Sequence, residues 1–177
     1  MFKKISCIVP LFLFIACTPP ELSPEQSLAL KQAQTRQYEV SYLIAWQSTI
    51  GFLQDNYYDI GQANKESLIL TASKKKSSQD NMKELPITDL KKNSIVTLTI
   101  FFDQIDESNI KIRANANWSR DDGTGLYQMG AISIPISGKK SQSITELATY
   151  KVFHDNLSRE IQRRWVAEKM RLDSKKN

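Results

Sequence analysis

LATYKVFHDNLSREIQRRWVAEKM, residues 147–170, is the stretch that decides the fold. Its apolar side chains Leu147, Tyr150, Phe153, Leu157, Ile161, Trp165 and Met170 recur at three-to-five spacing, the repeat of one helix face. The spacing predicts a helix of about twenty-five residues with a single apolar stripe. Such a stripe must lie on a broad apolar surface. Ser143 and Glu146, three apart just ahead of it, are expected to form a capping box.

Upstream residues supply that surface. Val96, Leu98, Ile100 and Phe102 share one face of a strand, while Ile95 and Phe101 flank Thr97 and Thr99 on the other. The next segment alternates more cleanly, with Ile110, Ile112, Ala114, Ala116 and Trp118 inward and Lys111, Arg113, Asn115 and Asn117 outward. One face is dry and one wet. Residues 103–109 make a polar hairpin connection, residues 120–125 a turn, and residues 126–136 further strand before a stop at 137–140.

Nearer the start, Ser23, Pro24 and Gln26 mark a helix N-terminus, and that polar helix is expected to reach about Gln34. Residues 38–40 read as a short strand. Ser41 caps a helix whose core stripe is Leu43, Trp46, Ile50 and Leu53, ending at Asn56. Residues 57–60 and 68–73 are two strands around a polar turn at 63–66, and the Lys- and Ser-rich residues 74–93 are expected to be a mobile loop. The expected class is α+β, an antiparallel sheet packed by an N-terminal helix and a long C-terminal helix.

The chain has 177 residues, 41% hydrophobic and 24% charged, with six Gly and six Pro. That is ordinary globular composition, enough for one domain with a real core. The first residues read differently. Lys3 and Lys4 precede an apolar run over residues 5–15, too short to span a bilayer and suited to an export signal. Of the two cysteines, Cys7 lies in that signal and Cys17 ends it. The mature domain then has no disulfide, no Cys-based zinc site and no cysteine nucleophile.

Phe14, Ile15, Ala16 and Cys17 resemble a bacterial lipobox, in which the cysteine is lipidated and becomes the mature N-terminus. The resemblance implies a signal peptide over residues 1–16 and a membrane anchor on Cys17. Thr18 in the next position implies delivery to the outer membrane if the cell has one. Residues 17–36 are then a lipidated N-terminus, a stiff Pro19-Pro20 spacer and the polar helix. Residues 37–172 are the domain and 173–177 a tail.

Arg36 and Tyr38 opening a strand, Leu53-Gln54-Asp55 closing a helix, and Thr71-Ala72-Ser73-Lys74 closing another strand resemble a group of uncharacterised bacterial lipoproteins. The likeness covers about forty residues and departs at Asn56, where the group favours Leu-Gly. It implies a small α+β lipoprotein domain and carries no catalytic residues. The two-layer layout is also similar to helix-grip modules of outer-membrane assembly lipoproteins, by architecture alone.

The chemistry-bearing residues are few. His154 is the single histidine and is expected to be a surface or half-buried helix residue. Asp121, Asp122 and Gly123 fall short of a calcium loop, because Arg120 and Trp118 stand where oxygen ligands are required, and Asp-Gly signals a hairpin turn. No catalytic set, metal site, phosphate loop or cofactor site is expected, and an exported chain is a poor partner for nucleic acid.

Charge points to the C-terminus. Without Lys3 and Lys4 the 24 basic and 19 acidic side chains leave +3. Residues 159–177 hold seven basic side chains against three acidic, a net +4, so the rest of the mature chain carries −1. Arg163, Arg164, Lys169 and Arg171 are the expected partner-binding residues, facing an acidic envelope protein or anionic headgroups. Glu160 with Arg164 and Lys169 with Asp173 are spaced to pair along the helix. The polar strand face of Lys111, Arg113, Asn115 and Asn117 is the second surface. Together these residues predict a lipid-anchored binding or accessory module of the cell envelope, with an apolar-ligand carrier, loaded between helix and sheet, as the alternative.

Overall fold

The computed structural model describes residues 22–76, 82–87, 90–129 and 132–175, with side chains described outside residues 121–139. The elements run α1 (Pro24–Gln34), β1 (Thr35–Tyr38), α2 (Tyr42–Asp55), β2 (Asp59–Asn64), β3 (Ile69–Lys75), β4 (Ile95–Gln104), β5 (Ile110–Met129), β6 (Ile132–Ser143) and α3 (Leu147–Ser174). The six strands form one antiparallel sheet in the order β1-β5-β4-β3-β2, with β6 pairing β5. The chain is an α+β two-layer domain.

The alternation of β4 and β5 aims one face of the sheet at the helices. Val96, Leu98, Ile100 and Phe102 are buried, as are Ile110, Ile112, Ala114 and Ala116. They join Tyr150, Phe153, Leu157 and Ile161 of α3 and Trp46, Phe52 and Leu53 of α2 in one core cluster. The ends of the expected α3 stripe are outside it: Leu147 is 46% exposed and Met170 67%. Tyr150 also anchors α3 by polar contact, because its hydroxyl accepts from the Ala116 N–H (3.1 Å) and donates to the Ile144 carbonyl (2.8 Å).

Several local expectations are corrected. The α1 capping box between Ser23 and Gln26 forms. The following strand, however, is Thr35–Tyr38 and not residues 38–40, since it pairs in register with Arg113 back to Ile110. The boundary expected at residue 37 therefore falls inside β1, and Leu30 and Ala33 dock α1 on the core. In α2 the buried stripe is Ala45, Trp46, Thr49, Phe52 and Leu53, while Leu43 is 51% exposed. The strand expected at residues 57–60 is Asp59–Asn64, because Tyr57 stands at φ 60 in the turn after α2 and is 84% exposed. The turn between β2 and β3 is at residues 65–68, where the Asn64 side chain accepts from the Glu66 and Ser67 N–H groups.

Where residues 74–93 are described, they are tied to the core. Met82, Leu85 and Leu90 are buried in the core, and Lys74 reaches Glu84 at 2.8 Å with both side chains under a tenth exposed. Lys76 donates to the Leu90 carbonyl. A Lys- and Ser-rich composition conceals three well-spaced apolar anchors.

The Asp-Gly hairpin is overturned as well. β5 runs on to Met129 and β6 from Ile132 to Ser143, with a bulge of one extra residue on β5 between Asp121 and Thr124. Gly123 lies at this bulge, a common place for glycine within a strand. Because Ser143 pairs with Asn117 in the sheet, it cannot cap α3, whose N-cap is Glu146 with no side-chain cap bond.

Candidate functional site

α2 and α3 pack antiparallel: the start of α2 faces residues 164–172 of α3, and its end faces residues 156–163. Between them, at Gly51, a Cβ would overlap the Arg164 guanidinium. Glycine is therefore required for this seating of Arg164. Two recesses flank that point. One, of about 430 Å³, lies at the α2 C-terminus beside Asp55, Lys83, Arg159 and Glu160. The other, of about 610 Å³, lies between the α2 N-terminus and the end of α3.

The second recess contains two of the four expected binding residues. Leu43, Ile44, Ala167 and Leu172 form its apolar walls, and Arg164 and Arg171 line it with Glu168. Leu43 is 51% and Leu172 48% exposed, so this is an apolar patch edged with charge. The exposure has a simple cause. Ile161 is the last buried residue of α3, and the helix continues thirteen residues further to Ser174, about 20 Å of overhang.

The cations are positioned by carboxylates on the same helix. Arg163 grips Glu160 through two 2.8 Å hydrogen bonds, and Arg164 Nε donates to the same carboxylate at 2.7 Å. Burial works to raise the Glu160 pKa, but the hydrogen bonds from Arg163 and Arg164 hold it below the ordinary value. Arg171 pairs with Glu168 and keeps that carboxyl low in turn. Lys169 lies 5.4 Å from the centre of the Trp165 ring. Thus Arg164 and Arg171 meet in one groove, whereas Arg163 borders the smaller recess and Lys169 the Trp165 side. Cys17 lies outside the described residues.

The apolar half of this groove was hidden in the sequence. Leu43 reads as core from helical spacing, and Leu172 falls beyond the stripe. Charge density was the legible signal.

The remaining candidates are structural. His154 is 1% exposed, not a surface residue. Its Nε2–H donates to the Gln34 carbonyl (2.9 Å), which leaves Nδ1 to accept from the Tyr38 hydroxyl (2.9 Å). Burial pushes its pKa down to about 4, so it is neutral and fully bonded. Asp155 turns away to Arg36 at 2.8 Å. The ring thus pins α1 and β1 to α3. On the open sheet face Arg113 stacks over Phe101 at 4.6 Å and Lys111 stands 3.9 Å from Asp103. The side chains of Asp121 and Asp122 are outside the description. Among the described residues no three His, Cys, Asp or Glu side chains converge as metal ligands would, and no helix is long and apolar enough to cross a membrane. No protein-family model matches this chain, and no curated protein matches it.

Proposed function

We propose that this protein is a lipid-anchored accessory module of a bacterial cell envelope, held through Cys17 and acting by binding an acidic partner at the far end of α3. The observation that carries the reading is the α3 overhang. It raises Arg163, Arg164, Lys169 and Arg171 past the core, beside exposed Leu43 and Leu172. Beyond Ile161 the helix buries no further side chain, so its last thirteen residues add little apolar burial to the fold. The lipobox-like residues supply the anchor, and Thr18 favours the outer membrane of a cell that has one.

The carrier alternative has less support. Among the described residues the layer between α3 and the sheet is occupied by the protein's own Tyr150, Phe153 and Leu157 against Ile100, Ile112 and Ala114. Catalysis has no base to offer at His154, since both ring nitrogens are engaged.

Metabolic labelling with a fatty acid, comparing the natural chain with Cys17→Ala, tests the anchor: label lost in the variant supports it, and equal label removes it. Crosslinking in intact cells with Arg163→Glu and Arg171→Glu together tests the contact. A linked envelope protein that persists undiminished in the double variant refutes the basic end as the docking surface.

A further inference from the structure

We infer that the 610 Å³ groove between the start of α2 and the end of α3 takes an acidic amphipathic helix of the partner, an inference that rests on the accessory reading above. Its walls are two helices, so a third helix laid along them meets side chains one turn apart on both sides. Leu43, Ile44, Ala167 and Leu172 offer an apolar bed, and Arg164 and Arg171 stand over it. Carboxylates flanking an apolar stripe complement that pattern.

The cations are available at modest cost. Arg171 is 54% exposed in its pair with Glu168 and Arg164 is 36% exposed beside Glu160. The exposed Arg171–Glu168 pair is weakly held, so a partner carboxylate can share or replace the present one there, while Arg164 stays on the largely buried Glu160 carboxylate. Both guanidiniums are already restrained by those pairs, which lowers the ordering cost on binding. The volume lies within the range of roughly 300–1,000 Å³ typical of binding recesses.

A bilayer is the poorer occupant for this surface. A membrane meets protruding apolar side chains with its flat face, and here the apolar residues line a recess between helices.

The test uses a synthetic peptide with leucines at i, i+3, i+4 and i+7 and glutamates on either side of them, titrated into the chain with isotope-labelled Leu, Ile and Ala methyl groups. Saturable shifts at Leu43, Ile44, Ala167 and Leu172 support the inference. Leu43→Lys or Leu172→Lys, both exposed positions that the fold tolerates, should weaken binding about tenfold or more, and glutamine in place of the peptide's glutamates should do the same. Unmoved groove methyls, equal binding by the variants or by the glutamine peptide, or shifts produced by phosphatidylglycerol vesicles and not by the peptide each overturn it. If the groove fails while the double Arg variant still loses its crosslink in cells, the accessory reading stands and this occupant falls.

Discussion

The first fifteen and last thirteen residues of α3 belong to one unbroken helix, yet they have different jobs. In the first part Tyr150, Phe153, His154, Leu157 and Ile161 are buried, and hydrogen bonds tie the helix to β5, β1 and α1. In the second part no side chain is buried, and the charges pair within the helix. The same apolar period runs through both. Burial follows from what lies beneath the stripe, so Leu157 is core and Met170 is surface although both fit the pattern.

The largest expected effect sharpens this contrast. Leu157→Ala should lower unfolding free energy by about 2–5 kcal/mol, whereas Leu172→Ala should change it by less than about 0.5 kcal/mol, both read from urea denaturation. Comparable losses would break the distinction between the halves.

Acid provides the next test. His154 binds its proton near pH 4 when folded and near 6.5 when unfolded. Between those values the unfolded chain holds more protons, so stability falls as pH drops through this window. It is fully present above about pH 6.5. The loss by pH 4 should approach about 3 kcal/mol, and His154→Gln should flatten that part of the profile. Asp155, Glu160 and Glu168, all held low by arginine partners, add their own dependence only at lower pH. A natural chain as stable at pH 4.5 as at pH 7 would show that the imidazole is not the clamp between α1, β1 and α3.

Tyr150→Phe should cost about 1–3 kcal/mol, because it strands the buried Ala116 N–H and Ile144 carbonyl while keeping the ring in place. A neutral result would assign the anchoring of α3 to its ring alone. Smallest in stability is Arg163→Glu with Arg171→Glu, whose side chains are 66% and 54% exposed. The unfolding midpoint should stay close to that of the natural chain while partner binding drops, and rising salt should weaken the natural interaction in parallel. A midpoint that falls sharply would turn the overhang into a structural element.

Pattern strength explains which parts of the fold were legible. β4, β5 and the middle of α3 carry long, strict periods, and only one face could be buried. Local signals failed where tertiary pairing had a competing use for the same residues. Ser143 and Glu146 have capping-box spacing, but Ser143 is taken by its ladder with Asn117. Asp122-Gly123 signals a turn, but the strand continues through a bulge. Residues 74–93 look like solvent-facing loop until Met82, Leu85 and Leu90 find the core. His154 was misplaced for a related reason, since its partners Gln34 and Tyr38 are more than a hundred residues away.

Amino-acid order alone determined the α+β class, the one-sided sheet, the long helix and the concentration of positive charge at its end, because each depends on period or composition along a continuous segment. It also set the candidate acceptor at Cys17, a local motif. Tertiary structure decided where the core stops along α3, that Arg164 rests on Gly51, and that Leu43 and Leu172 share one groove with Arg171. Those depend on distances between helices about a hundred residues apart in the chain, which a repeat within either helix cannot encode.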